Sequence, residues 1–186
     1  MIDVRALLVD LDGTLVATVT ANARAYVDAL GEVGIACDPG RFESVASGRN
    51  WRQFLQVLMP GSTEAERIGV AARKATFYSA RVEETTVNMA LVRLIRSTRS
   101  IYRTGLVTTA STASARVIVA HHGLADLFDT VVTGDDVSRH KPHPDAYQLA
   151  AERLRVTPDE CLIFEDSEVG LAAAAAFGAP ALRVMC

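Results

Sequence analysis

Lysine is nearly missing from this chain of 186 residues. Of its 19 basic residues only Lys74 and Lys141 are lysine, and the rest are arginine. Where arginine has taken almost every basic position, a surviving lysine marks a place that needs a compact ammonium rather than a planar guanidinium. Cysteine is scarce as well. Cys37, Cys161 and Cys186 are odd in number, far apart and without CxxC spacing, which argues against a disulfide framework and fits a reducing compartment. No apolar run is long enough to span a bilayer: the longest, residues 171–182, is mostly alanine and is broken by Gly178 and Pro180. The N-terminus has no basic segment leading into an apolar stretch, so no signal peptide is read and a cytoplasmic location is expected. Net charge is only −3, and no basic cluster is interleaved with aromatics. Neither nucleic acid nor a membrane is therefore expected as a partner.

What the chain does have is aliphatic content, 49% hydrophobic overall, and a readable rhythm. Residues 4–9 read as a short buried strand. The segments 20–30, 51–59 and 63–81 carry helical spacing, the last opened by the capping-box pattern Ser62-Thr63-Glu64-Ala65-Glu66. With no strand signal across residues 16–85, that stretch reads as an all-helical insertion. From residue 89 onward helices and strands alternate, with strands at 102–107, 130–134, 161–166 and 181–184. Such alternation implies parallel βαβ units. The expected fold is α/β, a doubly wound parallel sheet built from residues 1–15 and 86–186, with a helical cap of residues 16–85.

The chemistry gathers at strand ends. Asp10 and Asp12 close the first strand, and residues two apart on an extended chain face the same way. Two carboxylates that close repel unless a cation or a shared proton compensates. Thr108-Thr109, Lys141 and Glu165-Asp166 follow three later strands, and in a doubly wound sheet those ends line one crevice. An all-oxygen acidic set suits Mg²⁺, and hydroxyls at a helix start suit an anion. An anion site, a hard cation and spare carboxylates together describe phosphoryl transfer.

The segments "DLDGT", "VTTAS", "HKPHPD" and "FEDSEVG" resemble the four ordered motifs of the haloacid dehalogenase superfamily, and the insert resembles the small helical cap of its phosphatase and β-phosphoglucomutase branch. The resemblance implies Asp10 as nucleophile and Asp12 as general acid and base. It implies Thr108 and the Thr109 backbone N–H as phosphoryl ligands, and Lys141 as the neutralising cation. It implies Mg²⁺ on Asp10, the Asp12 carbonyl and Asp166, with Glu165 beside it or bound through water. In the cap it points to Arg49, Arg52 and Lys74 as substrate contacts, while Trp51 reads as core. Asp12 disfavours dehalogenation, and the absence of an early cap lysine disfavours phosphonate cleavage. Ala17 stands where relatives usually carry an acidic residue, and Asn22 where β-phosphoglucomutases carry a histidine, which favours hydrolysis.

The expected function is thus Mg²⁺-dependent hydrolysis of a small phosphorylated metabolite, a sugar phosphate being the leading candidate. A monomer or weak homodimer is expected. A phosphosugar mutase is the alternative, and a non-catalytic phosphometabolite-binding protein is the alternative from another class.

Overall fold

A computed structural model describes residues 3–46 and 51–186. In chain order, strand β1 (Ala6–Val9) and the two-residue β2 (Val16–Ala17) come first. Helices α1 (Val19–Glu32), α2 (Pro39–Ala46), α3 (Trp51–Leu58) and α4 (Glu64–Ala80) follow. Then come β3 (Thr86–Val87), α5 (Met89–Thr98), β4 (Arg103–Val107), α6 (Thr112–His121) and β5 (Thr130–Val132). The chain closes with α7 (Asp145–Leu154), β6 (Cys161–Glu165), α8 (Glu168–Phe177) and β7 (Ala181–Arg183). It divides into two compact units, Met1–Ala17 with Thr86–Cys186, and Thr18–Thr85.

The first unit is built on a five-stranded sheet of order β5-β4-β1-β6-β7, and every pairing in it is parallel. β1 is the centre, with Val9 opposite Leu106 on one side and Phe164 on the other. Because the winding reverses at β1, the crevice beyond its carboxyl end is where such sheets present ligands. The burial pattern of β1 is continuous, not alternating, as a strand covered on both faces requires. Against one face pack Tyr147, Ala150, Ala151 and Leu154 of α7 with Ala173, Ala174 and Phe177 of α8. The alanine-rich segment that begins at Leu171 is thus a helix whose small side chains lie close against the sheet.

Two features of the insertion differ from the sequence reading. Residues 16–17 are extended and pair antiparallel with residues 86–87, so the two crossings into the second unit are joined as a small ribbon. Two residues carry no periodicity, and only the pairing reveals them. Asn88 then anchors the return: its N–H donates to Leu15 O at 2.9 Å and its side chain accepts from Leu91 N at 3.1 Å, capping α5. The second difference is α2, which lies outside the three segments whose spacing reads as helical. Asp38 caps it by accepting from Arg41 N at 2.9 Å, and proline at the first helical position loses no hydrogen bond.

The second unit has its own core around Tyr26, Phe42 and Phe54. Tyr26 stacks on Phe42 with centroids 5.0 Å apart, and Phe54 meets both rings edge-on at 4.9 and 5.2 Å. Trp51 packs against this cluster half-buried, consistent with a core role. Phe54→Ala is expected to destabilise this unit by about 3–5 kcal/mol, since it removes one ring from two edge-to-face pairs and leaves a cavity. Chemical denaturation of wild type and variant checks this, and a loss under about 1 kcal/mol would contradict the packing. No helix among the described residues is long and apolar enough to cross a membrane.

Candidate active site

Four chain segments converge at the carboxyl end of the central strands. The ladder continues one residue beyond the strands on either side: Asp10 N donates to Phe164 O at 3.0 Å, and Thr108 N to Val132 O at 2.9 Å. Asp10, Thr108 and Glu165 are thereby held at one edge by the sheet itself. Lys141 reaches the same place from the turn after β5, and its ammonium is almost wholly buried, with 3% of the side chain exposed.

Lys141 is the hub. Its Nζ donates to Asp10 Oδ1 at 2.7 Å, Glu165 Oε1 at 2.6 Å and Val107 O at 3.2 Å, using all three protons. Its charge also lies 5.1 Å from the centre of the Tyr147 ring. Burial opposes the charge on this lysine, but the carboxylates of Asp10 and Glu165 and the Tyr147 hydroxyl more than offset it, so its pKa stands well above the ordinary value. Burial is also the largest influence on Asp10 and pushes its carboxyl up to about 8 against the pull of Lys141, with Glu165 and Asp12 adding repulsion. Glu165 is lowered despite burial, because Lys141 and Ser167 hold its ionised form. One of its oxygens takes Lys141, and the other accepts from Ser167 N at 2.8 Å and Ser167 Oγ at 3.0 Å.

Asp166 lies half-buried beside this pair. It accepts from Thr14 Oγ1 at 3.0 Å, and burial raises its carboxyl above the usual range. Asp10, Glu165 and Asp166 each offer an oxygen within 4.8 Å of the others. This all-oxygen set, with two carboxyls pushed up by burial, is chemically matched to a hard divalent cation. Asp10 and Asp166 have oxygens to spare for it. Glu165, whose oxygens are engaged by Lys141 and Ser167, is better suited to bracing the lysine.

The second carboxylate of the opening pair has a different neighbour. Thr108 Oγ1 donates to Asp12 Oδ2 at 3.1 Å and accepts from Ala110 N at 3.0 Å. Thr108 is buried, and Thr109 beside it is exposed. The sequence-predicted residues Asp10, Asp12, Thr108, Thr109, Lys141, Glu165 and Asp166 therefore share one edge of one sheet. Arg52 is exposed, its guanidinium 4.3 Å over the Trp51 ring and 3.6 Å from Glu64. Lys74 is half-buried with its ammonium 4.1 Å from the Tyr78 ring and 5.3 Å from that of Tyr26. Arg49 lies outside the described residues.

Two glycines of the site escape a reading based on reactive side chains. Gly13 has φ +91°, and a Cβ there would overlap the Asp166 carboxylate. A Cβ on Gly170 would overlap the Glu165 carboxylate. Both lie within quoted motifs, and glycine in a helix is a faint signal of close approach. What they approach is visible only in three dimensions.

A parallel sheet with a reversal at β1, a lysine locked between two buried acids and an acidic set fit for a cation make this edge the candidate site of an α/β protein. A family profile described as haloacid dehalogenase-like hydrolase matches residues 4–178, and the chain belongs to that family. It is 29% identical to fructose-1-phosphate phosphatase YqaB of Escherichia coli over 178 residues, covering 96% of this chain and 95% of that protein. It is 32% identical to hexitol phosphatase A of the same organism over 186 residues, covering 97% and 82%. Among solved structures, CbbY from Rhodobacter sphaeroides in complex with phosphate superposes with a TM-score of 0.85 at 25% identity, covering 97% of this chain and 85% of that one.

Proposed function

We propose that this protein is a Mg²⁺-dependent phosphatase acting on a small sugar or sugar-alcohol phosphate through an aspartyl-phosphate intermediate. The observation that carries this reading is the Lys141 hub. A buried ammonium touching Asp10 at 2.7 Å gives a carboxylate electrostatic support against an incoming anion. The relatives named as fructose-1-phosphate and hexitol phosphatases support the substrate class.

In this reading Asp10 attacks phosphorus, forming the carboxyl O–P bond as the bond to the sugar oxygen breaks. Asp12 protonates the departing oxygen and then takes a proton from the water that hydrolyses the acyl phosphate. Thr108 Oγ and the Thr109 N–H hold phosphoryl oxygens, and Lys141 offsets charge between Asp10 and the phosphate. Asp10, Asp166 and the Asp12 carbonyl would hold Mg²⁺, which supplies further charge neutralisation on the phosphoryl group. Arg49, Arg52 and Lys74 are the cap residues proposed to meet the sugar. The division of the chain into a catalytic core and a substrate-covering cap is part of the same proposal, as are a cytoplasmic location and a monomer or weak homodimer.

A phosphate-release screen with Mg²⁺ over sugar and sugar-alcohol phosphates, comparing wild type with Asp10→Asn, tests the reading. Release from one or a few substrates, lowered on the order of 10³-fold or more by the substitution and abolished by chelator, is the expected result. Isomerisation primed by a sugar bisphosphate, without release, would replace it with the mutase. Saturable binding without turnover would leave a phosphometabolite-binding protein.

A further inference from the structure

The turn after β5 does more than carry the chain toward Lys141. Residues 133–136 lie against residues 109–112 through four contacts. Gly134 N donates to Ala110 O at 2.8 Å. A Cβ on Gly134 would overlap the Thr109 carbonyl oxygen, so only glycine permits that approach. The hydroxyls of Thr112 and Thr133 share a hydrogen bond of 2.8 Å. Thr112 N donates to Asp135 Oδ2 at 2.8 Å.

The two acids of "TGDD" have separate tasks. Asp136 serves its own turn: it accepts from Thr133 N and Oγ1, both at 2.8 Å, and pairs with Arg153 at 2.9 Å. Asp135 alone crosses to the other segment, where it takes an N–H in the first turn of α6. That helix already has a local cap, since Ser111 Oγ accepts from Ser114 N at 3.3 Å. Asp135 serves a different N–H of the same turn, and it does so from a distant segment rather than from the helix's own flank. That contact fixes where the turn sits.

We propose that Asp135 is a positioning residue for the phosphoryl-binding segment 108–112. The inference rests on the phosphatase reading for what that segment binds. Asp135 touches no reacting atom. It acts through Thr112, and together with the Gly134 contacts on Ala110 and Thr109 it holds the Thr108 hydroxyl and the Thr109 N–H in one arrangement. Those two donors grip phosphoryl oxygens in substrate and transition state alike, so loosening them weakens binding in both states and raises KM more than it lowers kcat.

The test compares Asp135→Ala with Asp135→Asn, because asparagine keeps an acceptor for Thr112 N and removes the charge. Asp135→Ala is expected to raise KM, and the inhibition constant of inorganic phosphate, by about tenfold, as losing one charge-assisted hydrogen bond would. Asp135→Asn is expected to recover most of that loss. A lowered melting temperature with unchanged KM would make Asp135 a purely structural cap and overturn the proposal. Equal damage in both variants would assign the effect to charge and overturn it as well. Amide hydrogen exchange at Thr109, Ala110 and Thr112 reads the same clamp without turnover, and should accelerate in Asp135→Ala only. No phosphate release by wild type would sink the phosphatase reading, while unchanged exchange in Asp135→Ala would sink the clamp.

Discussion

Lys141→Ala is expected to abolish phosphate release and to destabilise the fold by about 3–5 kcal/mol, the cost of breaking a buried ion pair from one side. The ammonium is 3% exposed and serves two buried carboxylates and a main-chain oxygen. Without it, Asp10 and Glu165 face one another across a dry gap. A surface ion pair such as Arg5–Glu160 makes a poor comparison because water replaces a lost partner there. Lysine is also the specific requirement. Arginine is larger, planar and forked, and the site contains three acceptors matched to one point.

The deficit should grow with pH. Burial already places the folded Asp10 carboxyl up to about 8, above its ordinary value near 3.8, and removing the lysine pushes it further. A group raised in the folded state favours folding when protonated, and that contribution is lost as pH rises through the folded value. Below about 8 Asp10 is protonated in both proteins and contributes equally, so the deficit widens only as pH rises past that value. Thermal unfolding of the metal-free variant and wild type from about pH 7 to 10 reads the difference. A variant that melts with wild type at pH 8, or retains turnover, would contradict the hub.

The second large effect is expected from Gly170→Ala. On helix propensity alone, replacing a glycine in the first turn of α8 by alanine gains at most about 1 kcal/mol. Here the added methyl would overlap the Glu165 carboxylate. Overpacking costs about 1–3 kcal/mol or more, and Glu165 cannot retreat without releasing Lys141 and Ser167. The expected outcome is lower stability together with a loss of turnover of about 100-fold, because the displaced carboxylate no longer holds Lys141 against Asp10. Gly69 in α4 is the control, since a Cβ there meets nothing within 4 Å. Gly69→Ala should raise stability slightly and leave kcat unchanged. If Gly170→Ala behaves like Gly69→Ala in melting and turnover, the seat described for Glu165 is wrong.

These two positions also show where sequence reading stops. Lys141 stood out before any fold was known, as one of two lysines among 19 basic residues and next to a proline-rich turn. Asp10, Asp12, Glu165 and Asp166 were legible because each follows an apolar run of strand length, and strand ends in parallel sheets are where ligands gather. Gly170 carried no comparable mark, since one glycine in an alanine-rich helix is unremarkable until its neighbour is known. Asp135 sits in a Gly-Asp-Asp run that in sequence reads as an ordinary turn. Its partner Thr112 is 23 residues away, and no local pattern connects them.

The same division holds for the elements. The alternation of apolar strands with helical segments, and the capping box that Thr63 and Glu66 form, lie in spacing within one window of chain, and the sequence alone determined them. Strands β2 and β3 are two residues each, and they exist through pairing across the 68 residues between them, 18–85, rather than through any periodicity of their own. Motif order determined which residues meet. Tertiary structure decided what each does there: Glu165 turns its oxygens to Lys141 and Ser167, Asp12 is met by Thr108, and the Arg52 and Lys74 cations lie beside the aromatic rings of their own unit. The physical reason is that position along a chain sets which groups can arrive at a site. Desolvation and the limited number of donors at that site then set how the arriving charges divide them.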